Sequence, residues 1–171
     1  MRQKVIYILV LSWCMINMCK AQPAPVAHTP SWPFLCERYA YSSEVEIRIT
    51  KTPKGGYLRI AVESATPLDT QIAGTAYVFL KNNTLITCTD KNKHSIEGSK
   101  VVSMYEFNPA EMKQLQQSDI DYIHFNLKGK ASSFSSQLGN FTAVNKRAYF
   151  GKDTPENPNY FDTALAIKAL Y

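Results

Sequence analysis

The sequence has few of the short motifs that indicate enzyme chemistry. It contains four cysteines in 171 residues but no Cys-x-x-Cys pair, which excludes the usual thiol-redox motif and a clustered zinc site. Its seven glycines form neither a phosphate-binding loop nor the glycine-flanked serine of a hydrolase. Lysine and arginine form no stripe of the kind that binds nucleic acid. The sequence therefore predicts no catalytic residue, no metal, no cofactor and no nucleic-acid partner.

The first 21 residues have the composition of a secretory signal. A basic start, with Arg2 and Lys4, precedes an apolar run over 5–11, and Ala21 ends the segment at a small-residue cleavage site. The apolar run is shorter than a typical membrane span. We therefore predict an exported protein that is secreted or resides in the periplasm or cell envelope. A retained N-terminal anchor and a lipid-anchored form are the alternatives.

Cleavage after residue 21 changes both the charge and the cysteine count. Three of the 19 basic residues and none of the 14 acidic ones lie in this segment, so the net charge falls from +5 to +2. Cys36 and Cys88 remain in the mature chain. In an oxidising compartment they can form a disulfide, and two buried thiols are the alternative. The sequence leaves both open.

The mature chain divides into a tether and one domain. Residues 22–36 hold four of the nine prolines, a composition typical of an extended tether. Trp32 and Phe34 at its end are expected to pack onto the domain. Residues 37–171 are long enough for a single domain with one core.

Alternating apolar residues predict a β-rich fold. Val45, Ile47 and Ile49 alternate with charged residues, and a turn containing Gly55 joins this strand to the next, which predicts a hairpin. A second hairpin is expected around Asn82-Asn83, and 90–100 reads as a polar loop. The predicted class is mainly β, antiparallel and sandwich-like, with one short crossover helix and a C-terminal helix. An α+β fold with one curved antiparallel sheet is the alternative.

Capping residues locate the two helices. Asn108, Pro109 and Glu111 predict a helix over 109–118 that begins with a capping box. Its inward residues are expected to be Met112 and Leu115. A C-terminal helix is expected to be capped by Asn159 or Asp162 and to pack through a small apolar set, namely Phe161, Leu165 and Ile167 or Leu170.

Candidate functional residues are mainly aromatic. Asp119, Asp121 and His124 lie close together in sequence, but Asp121 and His124 have opposite parity on a strand and point to opposite faces. Tyrosines combine apolar area with a polar tip, which suits a binding surface. The residues predicted for that surface are Tyr122, His124, Tyr149 and Phe150.

These patterns lead to two functional hypotheses. The first is an exported, non-catalytic domain that binds a protein or glycan partner. The alternative is a small exported hydrolase or enzyme inhibitor whose site is assembled from residues distant in sequence. A cleft that brings His94 or His124 to a carboxylate would favour the enzyme, whereas an aromatic patch on a strand face would favour the binding domain.

Overall fold

The computed structural model describes residues 26–38, 43–129, 137–154 and 158–171. The predicted signal therefore lies outside the described residues. The described chain forms ten strands and two helices, which in chain order are β1 (Trp32–Leu35), β2 (Glu44–Thr52), β3 (Gly55–Glu63), β4 (Thr70–Ile72), β5 (Ala76–Leu80), β6 (Leu85–Cys88), β7 (His94–Glu97), β8 (Lys100–Phe107), α1 (Pro109–Gln117), β9 (Ile120–Gly129), β10 (Gln137–Val144) and α2 (Thr163–Lys168).

All ten strands belong to one antiparallel sheet that curls into a half-barrel. The strand order is β6-β5-β9-β10-β1-β2-β3-β8-β7, and β4 pairs with β9 beside this path. The mainly antiparallel β class with two helices is confirmed. The strands form a single curved sheet, which is the arrangement predicted as the alternative. The concave face of this sheet encloses the apolar residues that would otherwise lie between two packed sheets.

Both predicted hairpins are present. Strands β2 and β3 pair from Val45↔Val62 to Thr52↔Gly55, so their apolar residues face the core together. Strands β5 and β6 pair across the Asn82-Asn83 turn, where Asn83 adopts a positive φ of 66°. Asparagine tolerates this conformation, so the turn closes without a glycine.

The N-terminal segment differs from the predicted tether at its end. Trp32–Leu35 forms β1, which pairs with β2 along its whole length and with β10 at Leu35↔Val144. Trp32 and Phe34 face the core, as expected from their sequence, and Phe34 is fully buried. The proline content of this segment led to the prediction of a tether. Pro33 has no N–H to donate to a neighbouring strand, but a short strand tolerates the loss of one such hydrogen bond.

The segment read as a polar loop contains a further strand. His94–Glu97 forms β7, which pairs with β8 through a tight turn in which Gly98 has a φ of 62°. Three of its four residues are exposed and only Ile96 is apolar. An edge strand with so little apolar alternation has no periodic signal in the sequence.

Helix α1 begins as the sequence predicts. The Asn108 side chain accepts a hydrogen bond from the Glu111 N–H at 3.0 Å, and the Glu111 carboxylate accepts one from the Asn108 N–H at 2.8 Å. Met112 and Leu115 are fully buried. Met112 lies directly over Gly56, where a side chain would collide with it. The helix therefore packs against the end of the β2–β3 hairpin.

Helix α2 is anchored to the start of β9. Asp162 is its N-cap and accepts a hydrogen bond from the Leu165 N–H at 2.9 Å. Asp119 accepts a second from the Ala164 N–H at 2.9 Å. Ile167 is buried, as expected, but Leu165 is 63% exposed, because a six-residue helix buries only the face turned towards its neighbours. In the described part of the chain, no helix has the length and apolar character needed to cross a membrane.

An ion-pair network covers the outer face of β2, β3 and β8. The guanidinium of Arg59, which is 6% exposed, pairs with Glu46 at 3.4 Å and also with Glu97. The Lys100 ammonium pairs with the other oxygen of Glu46. Burial alone would raise the pKa of Glu46, but the hydrogen bonds and charges of Lys100 and Arg59 outweigh it and lower the pKa below 4.5.

Because folding lowers the pKa of Glu46, the free energy of unfolding depends on pH. The unfolded chain binds the Glu46 proton more tightly than the folded one, so the stabilisation exists above the unfolded pKa and is lost as pH falls through the folded pKa. We expect the free energy of unfolding of wild type to decline more steeply than that of Glu46→Gln between about pH 5 and pH 3. Urea denaturation at several pH values across this range measures the free energy of unfolding of each variant. Asp69→Asn, at an exposed carboxylate, is the control that should keep the wild-type slope.

Candidate binding face

The outer face of β5, β9 and β10 presents two adjacent rows of side chains. Their inward neighbours, such as Val78 and Ile123, are fully buried, so the alternate residues point outward. Strand register places the first row as Leu35, Val144, Tyr122, Phe79 and Leu85, and the second as Thr142, His124, Tyr77 and Thr87. The first row is mostly apolar, and the second mixes aromatic and hydroxyl groups.

Ring contacts hold the centre of this surface together. Phe79 and Tyr122 stack with their ring centroids 4.4 Å apart. The His124 ring lies edge-on to both, at 5.2 Å from Phe79 and 5.1 Å from Tyr122. The Thr142 hydroxyl lies 2.8 Å from His124 Nδ1, which fixes the orientation of the imidazole. We call Tyr77, Phe79, Tyr122 and His124 the outer aromatic face.

A groove of 410 Å³ runs beside the outer aromatic face. Its polar and aromatic lining includes Arg38, Thr75, Tyr77, His124, Asn126, Asn140 and Thr142. Tyr77 is 39% exposed and offers both a ring face and a hydroxyl. Amides, hydroxyls and an aromatic ring that converge on one groove can hydrogen-bond a polar ligand and also stack against its apolar side.

The structure brings together two of the four residues predicted for a binding surface. Tyr122 and His124 are in direct ring contact on β9. Tyr149 and Phe150 lie in the segment that follows β10, where the Tyr149 hydroxyl donates to the Ser43 carbonyl at 3.3 Å and Phe150 is wholly exposed. Among the described residues, neither ring is within stacking distance of the outer aromatic face.

Sequence reasoning missed Tyr77, Phe79 and Thr142 as members of this surface. Tyr77 and Tyr122 are far apart in the chain, and only the pairing of β5 with β9 makes them neighbours. One signal was present, since Tyr77 and Phe79 share a parity on their strand and oppose the buried Val78. The sheet order needed to use that signal is a tertiary property.

The acidic residues near His124 have structural roles. The Asp119 carboxylate accepts hydrogen bonds at the start of α2 and lies 3.6 Å from the Lys81 ammonium. Asp121 and His124 have opposite parity on β9, as the sequence analysis argued. Within the described ranges, no three histidine, cysteine or acidic side chains cluster in a way that would hold a metal ion.

His94 meets a carboxylate beside a second cavity. Its Nε2 lies 3.3 Å from Asp90 Oδ1, next to a cavity of 260 Å³ between β4 and β7. The same carboxylate accepts 2.8 Å hydrogen bonds from the N–H groups of Gly74 and Asn92. Ser103 lies directly opposite His94 on β8 and is fully buried. Asp90 therefore acts as a link between two loops, and a substrate cannot reach Ser103.

Cys36 and Cys88 are both buried and are not joined by a disulfide in the described part of the chain. Cys36 follows β1 and Cys88 ends β6, two strands that are not neighbours in the sheet order. Burial, and to a smaller extent the charge of Glu111, raises the pKa of Cys88 to about 12, so this thiol stays protonated at neutral pH.

Comparisons with known proteins find no matching family, no similar curated protein and no similar solved structure.

Proposed function

We propose that this protein is an exported, non-catalytic domain that binds a glycan partner through the outer aromatic face, at the cell envelope or outside the cell. Export is inferred from the basic and apolar pattern of residues 1–21. The observation that carries the binding proposal is the groove beside Tyr77 and His124, which Asn126 and Asn140 also line.

The size and chemistry of the groove favour a glycan over a protein partner. At 410 Å³ it lies within the range of small-ligand sites. A specific protein interface buries about 800 Å² on each partner around a desolvated apolar centre, whereas this groove combines apolar surface with hydroxyl, amide and imidazole groups. A sugar ring has an apolar C–H face that stacks on tyrosine and hydroxyls that pair with amides.

Ligand capture by the mature chain tests this proposal. We expect the chain beginning at Gln22 to bind a saturable subset of a glycan array, and Tyr77→Ala to weaken that binding about tenfold, which is about 1.4 kcal/mol. Tyr77→Phe should retain most of the affinity because it keeps the ring. Titration calorimetry with the best array ligand measures each affinity.

Tyr149→Ala is the matched control, since Tyr149 and Tyr77 have the same exposure of 39%. It should leave glycan binding unchanged. A folded wild-type chain that binds no glycan, or equal losses from Tyr77→Ala and Tyr149→Ala, would contradict the proposed site. Circular dichroism of each variant shows whether the sheet is intact.

A further inference from the structure

We infer that the glycan bound by the outer aromatic face is an acidic oligosaccharide, bearing carboxylate or sulfate groups. This inference rests on the proposed function and specifies its ligand class. It depends on a second groove that extends the first, and on the charges that line the two.

The second groove has a volume of 300 Å³ and lies along β9 and β10. It is lined by Asn126, Lys128, Gly139, Asn140 and the backbone at Leu127. Asn126 and Asn140 line both grooves, so the two grooves adjoin at this pair. We call the two adjoining grooves the channel. From His124 to Lys128 the channel follows four residues of β9, a length of about 13 Å. That length suits an oligosaccharide better than a single sugar.

The described charged residues in this channel all have one sign. Arg38 lines the groove beside Tyr77, and Lys128 lines the second groove. Within the described ranges, no acidic residue lines either groove. Among the described residues, no carboxylate lies within 4.0 Å of the Arg38 guanidinium or the Lys128 ammonium. Both cations are therefore available to a ligand anion.

Lys128 is held close to the amide groups of the channel. Its Nζ lies 3.9 Å, and the Asn126 Nδ2 3.8 Å, from the point where a Cβ would stand on Gly74. An ammonium and an amide N–H₂ at the same end of a groove offer several donors to a ligand, beside the acceptor oxygen of the amide. A sugar carboxylate or sulfate accepts from both, whereas an uncharged sugar hydroxyl uses only part of this donor set.

Nucleic acid would also be anionic and would also stack on tyrosine. However, in the part of the chain that the structure describes, only Arg38 and Lys128 among the residues lining the two grooves are cationic, and a nucleic-acid channel needs a longer series of lysine and arginine.

Titration calorimetry of the purified chain with trigalacturonate and with its fully methyl-esterified form tests this inference. At about 20 mM NaCl we expect the acid to bind roughly tenfold more tightly than the ester, and at about 0.5 M NaCl we expect most of this difference to disappear. Arg38→Gln and Lys128→Gln should each reduce affinity for the acid towards that for the ester. Lys113→Gln, on the exposed side of α1, changes net charge equally and should have no effect.

The outcomes separate the ligand class from the binding function. Equal affinity for the acid and its ester, with both weakened by Tyr77→Ala, would overturn the acidic preference and leave glycan binding in place. Binding of single-stranded DNA more tightly than of trigalacturonate would overturn the inference in favour of nucleic acid. A folded chain that binds neither sugar nor any member of a glycan array would overturn the proposed function as well.

Discussion

Replacing Gly55 with alanine is expected to lower the free energy of unfolding by about 3–5 kcal/mol. Gly55 has a φ of 134°, a conformation that side chains rarely adopt. Its added methyl group would overlap the Phe107 carbonyl oxygen and lie 3.0 Å from the Asn108 carbonyl carbon. These are backbone atoms at the end of β8 and the N-cap of α1, so they cannot move without breaking strand pairing or the cap.

Urea denaturation followed by circular dichroism measures this loss. Gly98→Ala is the matched control, since Gly98 also has a positive φ, 62°, but an added methyl group would meet nothing within 4 Å. It should cost only the backbone strain, about 1 kcal/mol. Similar losses in the two variants would show that the collision with Phe107 is relieved, contrary to this expectation. A total stability of about 5–15 kcal/mol is usual for a domain, so Gly55→Ala removes much of it.

Replacing Asn145 with alanine is expected to cost about 3–4 kcal/mol. Asn145 is 4% exposed. Its amide donates to the Ile120 carbonyl at 2.7 Å and to the Phe161 carbonyl at 2.9 Å, and its Oδ1 accepts from the Phe161 N–H at 2.8 Å. Removing the side chain leaves buried backbone groups without partners and detaches the C-terminal segment from β9.

Asn159 provides the comparison for this prediction. It makes an equivalent set of bonds, donating to the Ala148 and Gly151 carbonyls at 2.9 Å and accepting from the Ala148 N–H at 2.9 Å. These groups are accessible to water, so Asn159→Ala should cost about 1 kcal/mol or less. Hydrogen exchange should show faster opening of α2 in Asn145→Ala only. Equal costs for the two substitutions would argue against burial as the cause.

Local rules predicted the parts of this fold that local residues determine. The capping box at Asn108 and Glu111, the hairpin ending at Gly55 and the turn at Asn83 each depend on residues within a few positions of one another. Their geometry follows from backbone preference and hydrogen bonding. The β-rich class followed in turn, because strands of this length with one apolar face must pair into a sheet.

The remaining features depend on contacts between distant parts of the chain. Proline content placed Trp32 and Phe34 in a tether, but burial between β2 and β10 outweighed the lost N–H of Pro33. Two of the four residues of the outer aromatic face, Tyr122 and His124, were predicted from the sequence. Its other half follows from the pairing of β5 with β9, and a period-2 pattern shows which face a residue occupies but not which strand lies beside it.

The position of β1 between β10 and β2 also determines the order in which the protein can be assembled. Strands β2, β3 and β8 can pair early, because a tight turn joins β2 to β3 and β8 is made well before β10. Strand β1 has its second neighbour only when Val144 has been synthesised. Strand β1 is therefore made early but completes its pairing only after β10, and such non-local closure is slow. The sheet is complete only once β10 has been made.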